Sequence, residues 1–218
     1  MANASRRWYD DACGTAHALE LVGERWSLLI MRELMLGPRR FGDLRASLPG
    51  LSANILTQRL DSLEGTGILR RLRLPPPASV QVYELTRWGL EAEPIIRDLG
   101  RWAARSPRHD PTLPLSPVSL MLSFRTMFDA AKAGAASLTL GFVLGEEEFT
   151  VCVHEGELNA DRGRAGEADA RITASPEVVA GAVYGDPAAL AGAELSIEGD
   201  RTAFLTFAGF FELPPKAI

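Results

Sequence analysis

The sequence predicts an α+β chain of two successive units, a mainly helical one closed by a β-hairpin and a smaller one built of strands and helices. Three observations carry that expectation. Apolar residues recur at helical spacing upstream of residue 106, a proline-rich tract interrupts the chain there, and short alternating runs follow it. At 218 residues, with 46% hydrophobic and 23% charged side chains, two cores of ordinary size fit and disorder is not expected.

The elements follow in order. Leu19, Val22, Trp26, Leu29 and Ile30 keep helical spacing until Gly37-Pro38 stops it, which predicts one helix of about 18 residues. Phe41, Leu44 and Leu48 mark a short second helix closed by Pro49-Gly50. Ser52 offers an N-cap oxygen to a third, in which Leu56, Leu60 and Leu63 form one apolar stripe until Gly65 and Gly67. Residues 68–74 and 80–85 read as strands around a PPPAS loop, a hairpin or wing. Thr86 then caps a further helix with Leu90, Ile95, Leu99 and Trp102 on its apolar side, interrupted by Pro94. Two short helices joined by a tight turn and followed by such a hairpin make a winged helix-turn-helix domain.

Pro107, Pro111, Pro114 and Pro117 each remove a backbone donor, so residues 107–117 are expected to link a domain at 1–106 to one at 118–218. In the latter, Leu138, Leu140, Phe142 and Leu144 alternate as a half-buried strand. Ser175-Pro176 and Asp186-Pro187 start helices, and Asp200 caps the last one. The acidic run 146–148 is expected to solvate a hairpin loop.

A helix that reads DNA buries one face and offers short polar side chains on the other, because the major groove presents donors and acceptors at its base edges. On a helical wheel Asn54 and Gln58 fall opposite Leu56 and Leu60, with Thr57 on the flank. Ser52 and the free amides at that helix start suit a backbone phosphate. Arg39 and Arg40 precede the second helix, and Arg71 and Arg73 alternate with leucines along the first wing strand, so all four are expected to neutralise phosphates. Asp61 shares the outward face and is expected to lie away from the groove.

Charge is unevenly spread. Residues 1–108 hold 16 Arg, no Lys and 12 acids, a net +4, whereas 109–218 hold 7 basic and 16 acidic residues, a net −9, consistent with the overall −5. Double-stranded DNA is therefore the expected partner of the first half. Cys13 and Cys152 form no CxxC pair, and His17, His109 and His154 are scattered. Neither GxSxG, Walker A, HExxH nor GxGxxG occurs, so no enzyme activity, cofactor or metal is expected. The start of the chain lacks an apolar signal core and no apolar run is long enough to span a bilayer, which points to a cytoplasmic protein with no membrane partner.

The run CGTAHALELVGERWSLLIMREL, then GPRRFGDL, LSANILTQRLDSLEGTGIL and YELTRWG, resembles the HxlR-type winged helix-turn-helix regulators over about residues 12–104. That resemblance implies a transcriptional regulator, as a rule a repressor, acting as a homodimer on a palindromic operator, with the first and last helices of the domain pairing the subunits. Cys13 stands where some members carry a redox-sensing cysteine. The proline-rich wing tip departs from the pattern by lacking a basic residue.

Beyond the linker, ASLTLGFVL, FTVCVHEGEL, EADARITAS and AELSIEGD, in that order with a terminal helix, resemble a sterol carrier protein 2-like domain. The resemblance implies an apolar ligand between sheet and helices, with Phe124, Phe128, Phe204, Phe207 and Phe211 as lining residues and a hydrophobic small molecule as effector. Aromatic stripes are more often core than pocket. Two alternatives stay open: the second half serves only dimerisation, or the chain is a hydrophobic-metabolite carrier whose helical half is a dimerisation module.

Overall fold

The structure, a computed structural model, describes residues 9–185 and 194–217. The chain divides into two compact units, Met1–Glu93 and Pro94–Ile218. The division falls ahead of the proline-rich tract because the helix that precedes the tract is bonded to second-unit residues.

In the first unit the long helix expected at the start is two helices, α1 (Gly14–Val22) and α2 (Ser27–Leu34). Gly23 closes α1 with its N–H on the Leu19 carbonyl at 2.8 Å, and a Cβ at that position would stand 2.3 Å from the same oxygen. Trp26 then takes a left-handed backbone, φ 83°, through which an α-helix cannot continue. Of the five residues expected on one stripe only Ile30 is buried, and α1 buries none of its own side chains.

The next two helices follow the sequence closely. α3 (Phe41–Ser47) and α4 (Ala53–Gly65) bury Leu44, Leu56, Leu60 and Leu63 completely, each contributing about 1.5–3 kcal/mol through removal from water. Strands β1 (Leu69–Arg73) and β2 (Gln81–Leu85) pair antiparallel from Leu69↔Leu85 to Arg73↔Gln81. Thr86 caps α5 (Arg87–Leu90), its hydroxyl oxygen accepting the Gly89 N–H at 3.1 Å.

The helix expected after Thr86 is again two, with the chain turning at Glu91 and Ala92 before α6 (Glu93–Ala104). In the second unit, Arg97 and Arg101 of α6 donate to the carbonyls of Arg125 and Thr126. These carbonyls lie at the end of α7 (Pro117–Met127), which Ser116 caps at 3.0 Å. A short α8 (Ala130–Ala133) follows, capped by Asp129.

The second-unit sheet has the order β5-β4-β3-β6-β7, from strands β3 (Leu138–Leu144), β4 (Glu147–His154), β5 (Glu157–Arg162), β6 (Ala170–Thr173) and β7 (Ser196–Gly199). The β3–β6 pair is parallel and the others antiparallel. Helix α7 packs on β5, and α10 (Arg201–Ala208) on β3 and β6, with α9 (Pro176–Tyr184) beside both helices. Ser175 and Asp200 cap α9 and α10 as expected, whereas Asp186-Pro187 lies outside the described residues. The acidic run does not simply solvate a loop: Glu147 and Glu148 sit on β4, where Glu147 bonds Arg162 and Glu148 lies 3.4 Å from Arg171.

After α10 the chain returns to α6. Lys216 Nζ donates to the Ala104 carbonyl at 3.1 Å, and the Ala217 N–H to the Arg105 carbonyl at 2.6 Å. No helix among the described residues is long and apolar enough to cross a membrane.

Candidate nucleic-acid interface

The α4 helix is built to show one face. Its N-cap Ser52 accepts the Ile55 N–H at 3.3 Å, and its three leucines turn inward at every third or fourth residue. Asn54, Thr57 and Gln58 are consequently exposed together on the opposite side. Thr57 spends its hydroxyl on the Ala53 carbonyl at 3.0 Å, while Asn54 and Gln58 are exposed to solvent. A short carboxamide offers one donor and one acceptor side by side, the pattern that complements an adenine edge.

The four expected arginines part company. Arg40 is exposed, its own N–H held by the Asp43 carboxylate at 3.3 Å. Arg73 is exposed on β1 and reaches the Ser79 carbonyl at 3.2 Å. Arg39 departs from expectation: only 6% exposed, it donates to the Ser47 hydroxyl at 3.1 Å, and a buried guanidinium cannot meet a phosphate. Arg71 is drawn onto α4, bonding the Asp61 carboxylate and lying 3.0 Å from Glu64. Partial desolvation lowers the affinity of that guanidinium for its proton, but the hydrogen bond to Asp61 and the charges of Glu64, Tyr83 and Asp61 raise it above its ordinary value.

Sequence reasoning passed over Arg45. It is exposed on α3, one residue from buried Leu44, and the helical wheel alone would have placed it outward. Two further arginines of the first unit are committed, Arg59 to Glu24 at 2.8 Å and Arg70 to Glu84 at 2.6 Å.

Cys13 is exposed at the N-cap of α1. Its thiol is held below the ordinary range by hydrogen bonding from the Thr15 amide first, then from the Thr15 hydroxyl and the Ala16 amide.

The phenylalanines expected to line a pocket pack against one another. Phe124 meets Phe207 at 5.2 Å and Phe211 at 5.3 Å between ring centres, and Phe207 meets Phe211 at 4.7 Å. Phe124, Phe204 and Phe207 are essentially inaccessible, and Phe211 nearly so. Phe128 differs: it is half-buried and borders an open groove of about 420 Å³ with Met127, Asp129, Leu213, Pro214 and Arg101.

Helix, turn, helix and hairpin, with a polar face on the second helix of the pair, define a winged helix-turn-helix protein. Residues 21–110 match the HxlR-like helix-turn-helix family. Over 86 residues the chain is 35% identical to the HTH-type transcriptional regulator YvaP of Bacillus subtilis, covering 39% of this chain and 80% of that protein. YodB, an HTH-type transcriptional regulator of the same organism, is 35% identical over 86 residues, 39% of this chain and 77% of that one. The HTH-type regulator sll1512 of Synechocystis is 40% identical over 84 residues, which cover 38% of this chain and 62% of it, less than two thirds of its length. The chain belongs to the HxlR-like helix-turn-helix family.

Proposed function

We propose that this protein is a DNA-binding transcriptional repressor that acts as a homodimer on a palindromic operator. The observation that carries the reading is the single exposed face of α4, on which Asn54, Thr57 and Gln58 stand clear of a fully buried leucine stripe. Asn54 and Gln58 read base edges. The Ser52 end of α4, with Arg40, Arg73 and the newly recognised Arg45, holds the phosphate backbone. Arg39 takes no part in contact, its guanidinium being used inside the unit.

The dimer is carried by α6. Ile95, Leu99 and Trp102 are 67%, 45% and 72% exposed at helical spacing, a continuous apolar side left open among the described residues. Leu19 of α1, 48% exposed, offers a second apolar contact. Repression follows from occupancy of the operator. For the second unit, the SCP2-like element order and the groove beside Phe128 support a small apolar effector. The inaccessible Phe124, Phe204, Phe207 and Phe211 serve as its core.

The test is binding of the purified chain to duplexes from the region upstream of its own gene, titrated with salt. Sequence preference with a steep fall in affinity as salt rises is the expected result. Equal, salt-insensitive retention of every duplex sinks the proposal.

A further inference from the structure

Resting on that DNA-binding reading, we infer that Arg71 is a positioning residue: it bridges and neutralises two carboxylates of the recognition helix instead of gripping a phosphate. Asp61 and Glu64 lie on the second half of α4, three residues apart and both partly exposed. Unneutralised, each would set a negative charge on the helix that approaches a polyanion, whose strand charges recur every few ångströms. Arg71 answers both. Its Nη2 bonds Asp61, its Nε lies 3.0 Å from Glu64, and its backbone N–H donates to the other Glu64 oxygen at 3.2 Å. The guanidinium plane is steadied from β2, its carbon 5.5 Å from the Tyr83 ring centre.

The planar fork of arginine suits this work, since one guanidinium meets two carboxylates in fixed directions. A swing outward to a phosphate would strand both acids on α4, so the gain of one contact would be offset by two repulsions. The bridge also joins α4 to the wing strand, so the angle at which Asn54 and Gln58 enter a groove is set through Arg71. Exposed ion pairs add little to folding stability, and the effect therefore belongs to binding.

The test is a mutant cycle read on a pool of random-sequence duplexes at low salt. Arg71→Gln alone is expected to weaken binding about tenfold, and the loss should shrink to about twofold or less in a chain that also carries Asp61→Asn and Glu64→Gln. A loss undiminished in the neutralised background overturns the inference and returns Arg71 to the phosphate. A second readout needs no variant. The Nε–Hε NMR signal of Arg71 in the unaltered chain should stay in place when duplex is added, and its displacement together with loss of the Glu64 contact overturns the inference. Failure of the unaltered chain to bind any duplex is a different result, and it removes the DNA-binding reading itself.

Discussion

Arg39 and Tyr83 exchange two backbone hydrogen bonds, N–H of Arg39 to the Tyr83 carbonyl at 2.9 Å and N–H of Tyr83 to the Arg39 carbonyl at 2.8 Å. The segment ahead of α3 thereby adds a bridge to the wing, which fixes the helix-turn-helix against its hairpin. The Arg39 side chain completes the arrangement by bonding Ser47 at the far end of α3. Arg39→Ala should accordingly destabilise the first unit by about 1–3 kcal/mol, the cost of a lost buried charge-assisted bond. Urea unfolding checks this, and a variant with unchanged stability but weaker DNA binding would restore Arg39 as a phosphate contact.

Asn54→Ala and Gln58→Ala should remove sequence preference while leaving the melting temperature within a degree or two of the parent, since neither side chain is buried. Each loss of a good base contact amounts to about 1–3 kcal/mol of discrimination. Competition between operator and scrambled duplex measures it. Preference retained in both variants would place the reading face elsewhere.

Trp102→Glu introduces a charge at the most exposed position of the apolar side of α6. Sedimentation velocity should show the parent as a dimer and the variant as a monomer with unchanged far-ultraviolet circular dichroism, because the Trp102 side chain is largely exposed. A dimer that survives the substitution assigns the subunit contact to another surface.

Because the Cys13 thiol is held below its ordinary range, its thiolate persists to lower pH in the folded chain than in the unfolded one. The rate of alkylation of Cys13 by iodoacetamide, followed by mass spectrometry against a Cys13→Ser control, should rise with pH at a lower midpoint in buffer than in denaturant. Coincident midpoints would show that the start of α1 does nothing to this thiol.

Phe207→Ala should cost the second unit about 3–5 kcal/mol, the usual consequence of removing a ring from a closely packed aromatic core. Thermal unfolding checks the loss. If the ring instead lined a ligand site, the variant would keep its stability and lose an apolar molecule visible in the native mass spectrum of the parent.

Legibility from sequence was uneven for physical reasons. The α4 helix was readable because its cap, its leucine period and its glycine end are all local signals, and so were the caps at Thr86, Ser175 and Asp200. The break between α1 and α2 was not, since a glycine inside a helical pattern is ambiguous and a left-handed tryptophan has no compositional signature. Burial of Arg39 and the pairing of exposed Arg71 with Asp61 were not legible, because Ser47 and Asp61 are brought near these arginines only by tertiary folding. The apolar residues of α6 were correctly grouped, but periodicity says which residues share a side and not whether anything in the same chain covers it.

The residues that follow α10 have a practical bearing on handling. With Lys216 and Ala217 satisfying carbonyls at the end of α6, removal of residues 216 and 217 would uncap the helix that carries the exposed Ile95, Leu99 and Trp102. A purification handle or fluorophore fused there would crowd the same spot.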